Sequence, residues 1–347
     1  MKNISIYFIK VFCLILGKRN YHLFLEKLLS VMKNSSDHFI TYALRPKKAS
    51  LRKSIDKPNP QLPLLALVIQ GPVITKDEFT FETIKLYKQN FPKAIIILST
   101  WIEDKPKVES FINIEGLHIL FNEKPDYYGV SNINLQIASS KQGILKAKKL
   151  GAEFVMKTRT DQRMYAPNIS RYLFDIINLF PLKSNIVKQQ KRIIGVSLNT
   201  FKYRMYGLSD MLIYGHIDDM LLFWDIPYDL RKFNLSEQKA AVSSLRSFAQ
   251  WRICEVFLTT EFLLKVDRKL EWTLEDSWKV FADHFCVIDK ESLDLYWGKY
   301  EAKEYPRTNY SKEINVFEQI NFREWLNLNC NPNGIKPSEK ILDLPLK

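Results

Sequence analysis

The sequence predicts an α/β protein with a mostly parallel sheet flanked by helices. Short apolar runs rich in β-branched residues alternate with longer segments in which apolar residues recur at helical spacing. Parallel strands need long crossover connections, which are usually helices, so this alternation favours a parallel sheet over a series of hairpins. Composition agrees, because 46% hydrophobic and 26% charged residues in a chain of 347 are typical of a globular protein.

Each predicted strand is a short apolar run that ends in a turn or in polar residues. Strands are predicted at 64–72, 94–101, 117–123, 153–163 and 192–198. A helix is predicted at 79–91, where Pro92 ends it, and a longer one at 132–151, where Gly151 provides a C-cap. A helical C-terminal extension is expected to begin with residues 235–265, since the apolar spacing there is again helical.

Three regions are predicted along the chain. Residues 1–44 form an amphipathic helical segment, residues 45–63 a basic, proline-rich linker, and residues 64–345 the folded domain. The first apolar run, 4–16, is too short to cross a bilayer as a helix, and Lys10 interrupts it. Two short apolar helices with flanking lysines suit an anchor in a membrane interface, and packing on the protein's own core is the open alternative.

The formal net charge of +13 is concentrated near the N-terminus, where residues 1–60 hold twelve Lys and Arg against three Asp and Glu. A nucleic-acid-binding protein would carry a basic face on its folded domain, so no nucleic-acid partner is expected. The charge suits attraction to an anionic surface, and we predict a cytoplasmic protein attached peripherally to a membrane. The four cysteines show no paired spacing, which indicates free thiols in a reducing compartment.

The ends of four predicted strands carry small or polar residues that can form a ligand site. In an open parallel sheet, ligands bind in the crevice beyond the carboxyl ends of the strands. These ends are formed by Gln70, Gly71 and Pro72, by Ser99, Thr100 and Trp101, by Asn122 and Glu123, and by Arg159, Thr160 and Asp161. We therefore predict one crevice at this edge, in which Trp101 can stack on a nucleobase.

The polar stretch KTRTDQR, at 157–163, is the most informative of these ends. Asp161 can hold a divalent metal on a diphosphate, while Arg159 and Arg163 offer paired donors to phosphate oxygens. The alternative is an internal salt bridge between Asp161 and one of the two arginines. A simple solvated loop is disfavoured, because three other polar strand ends are expected at the same edge.

A second acidic cluster supplies candidates for a general base. A transfer enzyme that inverts at a sugar carbon needs a carboxylate to take the proton from the acceptor hydroxyl. Asp210, Asp218 and Asp219 lie in a segment predicted to contain a turn, an apolar run and a helix. The alternative for the adjacent pair is a place in the first turn of that helix, where acidic side chains favour the helix dipole. The five histidines show no metal-ligand spacing.

The chain contains no GxGxxG, P-loop or HExxH motif. Seven segments in order resemble the WavE lipopolysaccharide-synthesis family: LVIQGPV, ETIKLYKQNFP, IILSTW, NINLQI, GAEFVMKTRTDQR, LSDMLIYG and DDMLLFW. The resemblance covers about residues 64–230, and the QGP turn and the KTRTDQR stretch are its most specific parts. It implies a bacterial glycosyltransferase of lipopolysaccharide core or surface-polysaccharide assembly, with a GT-A-like fold.

The resemblance also implies roles for individual residues. Asp161 matches the last aspartate of the metal-binding DxD motif of the GT-A class, whereas Arg159 stands where the first aspartate would be. A bound Mn or Mg ion is one implication, and an arginine that replaces part of the charge of that ion is the other. Gln70, Gly71 and Pro72 would line the nucleotide pocket.

The implied partners are a nucleotide-sugar donor and a glycolipid or polysaccharide acceptor, with the protein on the inner face of the bacterial inner membrane. Two functions of other classes stay open. A noncatalytic nucleotide-sugar-binding protein would bind nucleotides without turnover. A membrane scaffold would depend on residues 1–60 and not on the crevice.

Overall fold

The computed structural model describes residues 2–35, 44–52, 59–184, 186–232, 236, 242–297, 318–331 and 337–343. The chain divides into two compact units, Met1–Pro46 and Lys47–Lys347. The first unit is helical. The second contains the sheet and every residue of the predicted crevice.

The first unit contains helix α1, Lys2–Asn34, which is broken at Gly17. Gly17 has φ 66° and ψ 160°, a conformation that a residue with a Cβ rarely adopts, so the glycine permits the break. The rings of Phe12 and Phe24, on the two sides of the break, lie 4.9 Å apart in an edge-to-face arrangement. No helix in the described part of the chain is both long and apolar enough to span a membrane.

The second unit is built on a seven-stranded sheet. The strands of this unit are β1 Leu65–Gln70, β2 Ile95–Trp101, β3 Leu117–Asn122, β4 Phe154–Arg159, β5 Gln162–Met164, β6 Ile193–Val196, β7 Ile213–His216, β8 Phe285–Ile288 and β9 Leu295–Trp297. The large sheet has the order β3-β2-β1-β4-β7-β6-β8, and β5 pairs with β9 in a small antiparallel sheet. The predicted class, a mostly parallel sheet flanked by helices, is confirmed.

Four neighbouring parallel strands bring their carboxyl ends to one edge of the large sheet. Gln70 at the end of β1 pairs with Ser99 on β2 and with Arg159 at the end of β4. Trp101 at the end of β2 pairs with Asn122 at the end of β3. The polar strand ends therefore lie side by side, as the sequence predicts, and we call this side of the sheet the crevice edge.

Strand β7 runs antiparallel to both of its neighbours, β4 and β6. Phe154 pairs with His216 and Lys157 pairs with Ile213, so β7 ends beside the start of β4. Residues just before β7 consequently lie at the crevice edge, and residues just after β7 lie at the opposite edge. The edge strand β8 was not predicted, because it follows the helix residue His284 directly, with no turn residues between them.

Helices cover the sheet. Their bounds are α2 Phe79–Asn90, α3 Ile133–Lys149, α4 Ile169–Leu179, α5 Ile217–Trp224, α6 Leu245–Gln250, α7 Cys254–Lys265, α8 Leu274–His284 and α9 Phe322–Cys330. Helix α3 packs on β1 and β2. Gly143 allows this close approach, since a Cβ there would lie 2.3 Å from Val68 Cγ1. Within the predicted helical region 235–265, residues 235 and 237–241 lie outside the described residues.

Part of the segment predicted as a linker belongs to the second unit, which begins at Lys47. Ala49 is 2% exposed, and its N–H donates to Glu82 Oε2 on α2 at 2.6 Å. The carbonyl of Lys47 accepts a hydrogen bond from Arg163 Nη1 at 2.7 Å. Residues 47–52 of the predicted linker are thus packed into this unit, while residues 53–58 lie outside the described residues.

Candidate active site

Lys157 on β4 is a fully buried cation close to the crevice edge. Its ammonium donates to Gln136 Oε1 on α3 at 3.2 Å and to the carbonyl of Asp210, and it lies 4.7 Å from the centre of the Trp224 ring. Burial lowers the pKa of Lys157 to about 8, against the attraction of the Asp210 carboxylate. Lys157 therefore ties α3 and the segment before β7 to the end of β4.

Arg159, two residues further along β4, points to the same face as Lys157. Its guanidinium donates two hydrogen bonds to Asp161, from Nε to Oδ1 at 2.9 Å and from Nη2 to Oδ2 at 3.2 Å. Trp297 Nε1 on β9 donates to the same Asp161 Oδ2 at 3.0 Å. The internal salt bridge that the sequence left open is formed, and it fixes the orientation of the Arg159 fork.

The Arg159–Asp161 pair is only partly buried, since the two side chains are 22% and 16% exposed. Burial alone would raise the pKa of Asp161, but the hydrogen bonds and charge of Arg159 and the Trp297 N–H bring it below its ordinary value. Asp161 is therefore ionised at neutral pH. The pair presents an oriented guanidinium at the crevice edge that a solvent-borne anion can reach.

Arg163 is used inside the fold. Its Nε donates to Thr83 Oγ1 at 2.8 Å, its Nη2 to the Phe79 carbonyl at 2.8 Å and its Nη1 to the Lys47 carbonyl at 2.7 Å. The residue is 2% exposed, and its guanidinium lies 4.4 Å from the centre of the Phe79 ring. The structure thus does not place Arg163 where the sequence predicted a phosphate ligand, because these protein groups engage its donors.

The first strand end is closely packed against α3 and the end of β4. Gln70 is 4% exposed and accepts a hydrogen bond from Ser139 on α3 at 2.9 Å. Gly71 has φ 118°, and a Cβ there would lie 2.9 Å from Thr160 Oγ1. Only glycine fits, so the backbone at Gly71 approaches the exit of β4 closely. Pro72 is exposed beside it.

The second strand end does not offer the predicted stacking surface. Trp101 is 4% exposed, so its ring is closed to a nucleobase. Thr100 is buried and donates to Asp104 Oδ2 at 2.6 Å, and the Val73 N–H donates to the same oxygen at 3.1 Å. These contacts lock the loop after β1 to the end of β2, which is a supporting role and not a ligand contact.

Asp210 lies at the crevice edge, three residues before β7, in a buried acidic pair with Glu255. Asp210 is 3% exposed and Glu255 8% exposed, and Cys254 Sγ donates to Asp210 Oδ2 at 3.3 Å. Burial favours a raised pKa in both, but the charges of Lys157 and Arg159 bring the pKa of Asp210 below its ordinary value. The pKa of Glu255 is raised, mainly by burial and in part by the Asp210 charge.

Two carboxyl groups whose pKa values are pushed apart by their surroundings are a common arrangement for acid–base chemistry. Asn199 donates to Glu255 Oε1, and Arg204 Nη1 lies 3.5 Å from Glu255 Oε2. Glu255 is thus surrounded by the Asn199 amide, the Arg204 guanidinium and the negative charge of Asp210. A carboxylate whose pKa is raised is a stronger base, once ionised, than an exposed carboxylate.

Asp218 and Asp219 lie at the opposite edge of the sheet, and the structure does not bring them to the crevice. They follow His216, which pairs with the first residue of β4, and β4 spans roughly 16 Å from there to Arg159. Asp218 forms an exposed pair with Lys148 at 2.8 Å. Both aspartates occupy the first turn of α5, so the helix-terminus alternative describes them and the base prediction does not.

Asp219 is buried and holds a loop in place. Its two oxygens accept hydrogen bonds from the backbone N–H groups of Gln190 at 2.7 Å and Lys191 at 2.8 Å. A carboxylate with both oxygens bound to backbone groups, far from the crevice, anchors the approach to β6. It is not available to an acceptor hydroxyl.

The described residues do not offer the ligand set of a resident divalent cation. No group of three His, Cys, Asp or Glu in the described part of the chain is arranged to hold a metal ion. Asp161 is the single carboxylate of the KTRTDQR stretch, and both of its oxygens accept hydrogen bonds from Arg159 or Trp297. The guanidinium thus occupies the place beside Asp161 where a cation would sit.

Comparison with known proteins supplies the family. A family model described as WavE lipopolysaccharide synthesis matches residues 65–342. The chain belongs to this family. The resemblance predicted from the sequence is thereby confirmed, and it extends from the start of β1 to beyond α9. A WavE-family protein has a role in lipopolysaccharide synthesis, which is consistent with a sugar-transferring enzyme. No curated protein sequence matches the chain significantly.

Among solved structures, one match is the crystal structure of mannose-1-phosphate geranyltransferase from Thermus thermophilus. It has 10% sequence identity and a TM-score of 0.25, and the match covers 38% of this chain and 40% of that chain. The WavE-family chain thus spans less than half of the length of that protein.

Two site residues, Lys157 and Glu255, are not predicted by the sequence. Lys157 was seen only as part of a polar stretch, and its burial could not be inferred while Gln136 and Trp224 were distant in sequence. Glu255 lies in the first turn of α7, where an acidic residue is ordinary, so no local signal marks it. Tertiary packing alone brings these side chains together.

Proposed function

We propose that this protein is a glycosyltransferase that moves a sugar from a nucleotide-sugar donor to a lipopolysaccharide-core or surface-polysaccharide acceptor. The observation that carries the proposal is the crevice edge, where an oriented guanidinium, Arg159, stands next to the buried acidic pair Asp210 and Glu255. Membership of a lipopolysaccharide-synthesis family supports the class of reaction.

In this proposal, Arg159 binds the diphosphate of the donor. Its fork is held by Asp161 and Trp297, so little conformational freedom is lost when phosphate oxygens bind. When the bond to the sugar breaks, negative charge develops on the leaving diphosphate, and a fixed guanidinium stabilises that charge without reorganising. Gly71 allows the backbone after β1 to lie close to Thr160, the residue between Arg159 and Asp161.

The acceptor hydroxyl is activated by the Asp210–Glu255 pair. The hydroxyl proton moves to a carboxylate oxygen of ionised Glu255 as the hydroxyl oxygen forms its bond to the sugar carbon, and the diphosphate leaves with the electrons of the broken bond. The raised pKa of Glu255 makes it a stronger base, when ionised, than an exposed carboxylate, and the negative charge of Asp210, which Lys157 stabilises, contributes to that rise. Both functions are thereby assigned to side chains at the crevice edge.

The test separates binding from turnover. Glu255→Gln keeps the shape of the side chain and removes the proton acceptor, so we expect turnover to fall at least about a hundredfold while the nucleotide-induced rise in melting temperature is kept. Asp218→Asn, a carboxylate change at the opposite edge of the sheet, is the matched control and should have no effect on either quantity. Full turnover in Glu255→Gln would refute the assignment of the base.

The same assay distinguishes the rival functions. Nucleotide binding by the wild type with no turnover for any acceptor would favour a noncatalytic nucleotide-sugar-binding protein. Absence of any nucleotide binding, together with loss of function on deletion of residues 1–60, would favour a membrane scaffold.

We further propose that helix α1 attaches the protein to the inner face of the bacterial inner membrane. Large apolar side chains of this helix are exposed: Tyr7, Phe12, Leu14, Ile15, Tyr21, Leu23, Leu28, Val31 and Met32. The helix carries six Lys and Arg against one Glu, so an anionic lipid surface would attract it. Leu14→Glu combined with Ile15→Glu should abolish co-sedimentation with phosphatidylglycerol vesicles, and unchanged co-sedimentation would contradict the proposal.

A further inference from the structure

A cavity lies at the crevice edge, beyond the end of β3. Its volume is about 600 Å³, and it is formed chiefly by the loop between β3 and α3. Tyr127 and Tyr128 line it and are 53% and 47% exposed, and Lys124, Asp126 and Lys232 also line it. A cavity of this size accepts a ligand larger than a single sugar ring.

The wall that carries the two tyrosines is held rigidly. Asp229 accepts a hydrogen bond from the Val130 N–H at 3.1 Å and is gripped by Arg231 with bonds of 2.8 and 2.9 Å. Asn134 donates to the Tyr127 carbonyl at 2.9 Å and to the Asp229 carbonyl at 2.8 Å. Asp229 and Asn134 are buried, so the loop is fixed before any ligand arrives.

Gly129 also fixes the path of the loop between β3 and α3. It has φ 68°, and a Cβ there would lie 2.9 Å from Ile133 and 3.0 Å from Asp229. The loop can take its path over the Asp229 network only with glycine at this point.

The chemistry of the cavity suits a saccharide. Each tyrosine offers an apolar ring face for the C–H groups of a sugar and a hydroxyl for its oxygens. The rim contains ammonium groups from Lys124 and Lys232 and a carboxylate from Asp126, so it can pair with the hydroxyls of a sugar, which both donate and accept. Lys232 lies 5.7 Å from the centre of the Tyr127 ring, where it can also meet an acidic substituent.

Helix α3 links the cavity to the buried acidic cluster. Asn132, which lines the cavity, precedes Gln136 by one turn of helix, which is roughly 6 Å. Gln136 in turn accepts from Lys157 and donates to Cys254, the neighbour of Glu255. A saccharide in the cavity would therefore lie at the same edge of the sheet as the carboxylates that activate the acceptor.

We propose that the Tyr127–Tyr128 cavity is the acceptor subsite, and that it binds the inner sugar rings of the polysaccharide that receives the transferred sugar. The proposal rests on the proposed glycosyltransferase function. It adds a saccharide-binding site that is separate from the nucleotide-binding residues Arg159 and Asp161.

The test measures saccharide and nucleotide binding independently on the full-length protein. Saturation-transfer NMR is recorded with a panel of neutral and phosphorylated oligosaccharides, and thermal shift is recorded with nucleoside diphosphates. The variant is Tyr127→Ala combined with Tyr128→Ala, and Leu179→Ala, at an apolar side chain 69% exposed on α4, is the control. Because the replaced side chains are half exposed, the double variant should fold with the melting temperature of the wild type.

We expect at least one oligosaccharide to bind the wild type and the control, and to bind the double variant about tenfold more weakly or not at all, while every nucleotide shift is kept. Unchanged saccharide binding in the double variant overturns the proposal, as does a wild type that binds no oligosaccharide. Loss of the nucleotide shift in the double variant also overturns it, because the cavity would then hold the nucleoside. If the proposed function itself is wrong, the wild type will bind no nucleotide, and this result differs from every outcome that overturns the acceptor subsite.

Discussion

Replacement of Arg159 by Lys tests whether the fork geometry of this side chain matters beyond its charge. Arg159 makes two parallel bonds to Asp161, at 2.9 and 3.2 Å, and these define the direction in which its donors face a phosphate. Lysine keeps the positive charge but has a compact ammonium and cannot present two coplanar donors. Arg159→Lys therefore removes the geometry and leaves the electrostatics.

The expected cost in affinity is large and the expected cost in stability is small. A hydrogen bond to a charged group contributes about 1.5–3 kcal/mol, so loss of one such bond to the diphosphate weakens nucleotide binding roughly 10- to 150-fold. Asp161 keeps its bond from Trp297, and a lysine at position 159 can still pair with it through its positive charge, so the free energy of unfolding should fall by only about 1 kcal/mol, roughly one hydrogen bond.

Isothermal titration with the nucleoside diphosphate that binds best measures the effect directly. The matched control is Arg171→Lys, which alters an Arg–Asp pair of α4 that is exposed to solvent and makes no contact with the crevice. The control should bind the nucleotide as the wild type does. If Arg159→Lys also binds with wild-type affinity, Arg159 does not recognise a diphosphate through its fork, and the reasoning is refuted.

Three further changes have expected outcomes. Gly71→Ala should lower the free energy of unfolding in urea by about 1–3 kcal/mol, because φ is 118° and the new Cβ would meet Thr160; an unchanged value would contradict the backbone description. Trp297→Phe should weaken nucleotide binding about fivefold by titration calorimetry, since Asp161 loses one hydrogen bond; tighter binding would show that Trp297 opposes the ligand. The pKa of Lys157 is lowered to about 8, so the unfolded chain binds more protons between pH 8 and 10.5 and stability should rise with pH there, by at most about 3 kcal/mol. Lys157→Met should lack this rise in urea titrations, and an equal rise in the variant would contradict the buried-cation account.

The parallel part of the fold could be predicted because its signals are local. The residues that form β1 and β2 are apolar and partly β-branched. Gly71 directly follows β1, and Pro92 follows helix α2 closely, so the sequence marks where both elements end. In a parallel sheet the carboxyl ends of neighbouring strands lie at the same edge, so the polar strand ends meet as expected. β8 gave no such signal, since it continues directly from α8.

The candidate site was predictable only in part. Asp161 and Arg159 were found because they are adjacent to a strand end, which is a feature of the sequence itself. The residues of β7 do not show in which direction this strand runs, so the sequence alone could not exclude Asp218 from the crevice. The antiparallel pairing of β7 with β4 carries Asp218 to the edge opposite the crevice. Glu255 and Lys157 became neighbours of Asp210 through packing between elements far apart in the chain.

The central claim, that the KTRTDQR stretch binds a diphosphate, is tested most directly by a thermal-shift panel. Nucleoside diphosphates and nucleotide sugars are added to the wild type and to Asp161→Ala, with and without manganese. We expect one nucleotide family to raise the melting temperature of the wild type without manganese, since a ligand that binds only the folded state stabilises it. We expect Asp161→Ala to lose that shift, because Arg159 is no longer oriented. A wild type that responds to no nucleotide, or a variant that responds as the wild type does, would contradict the account.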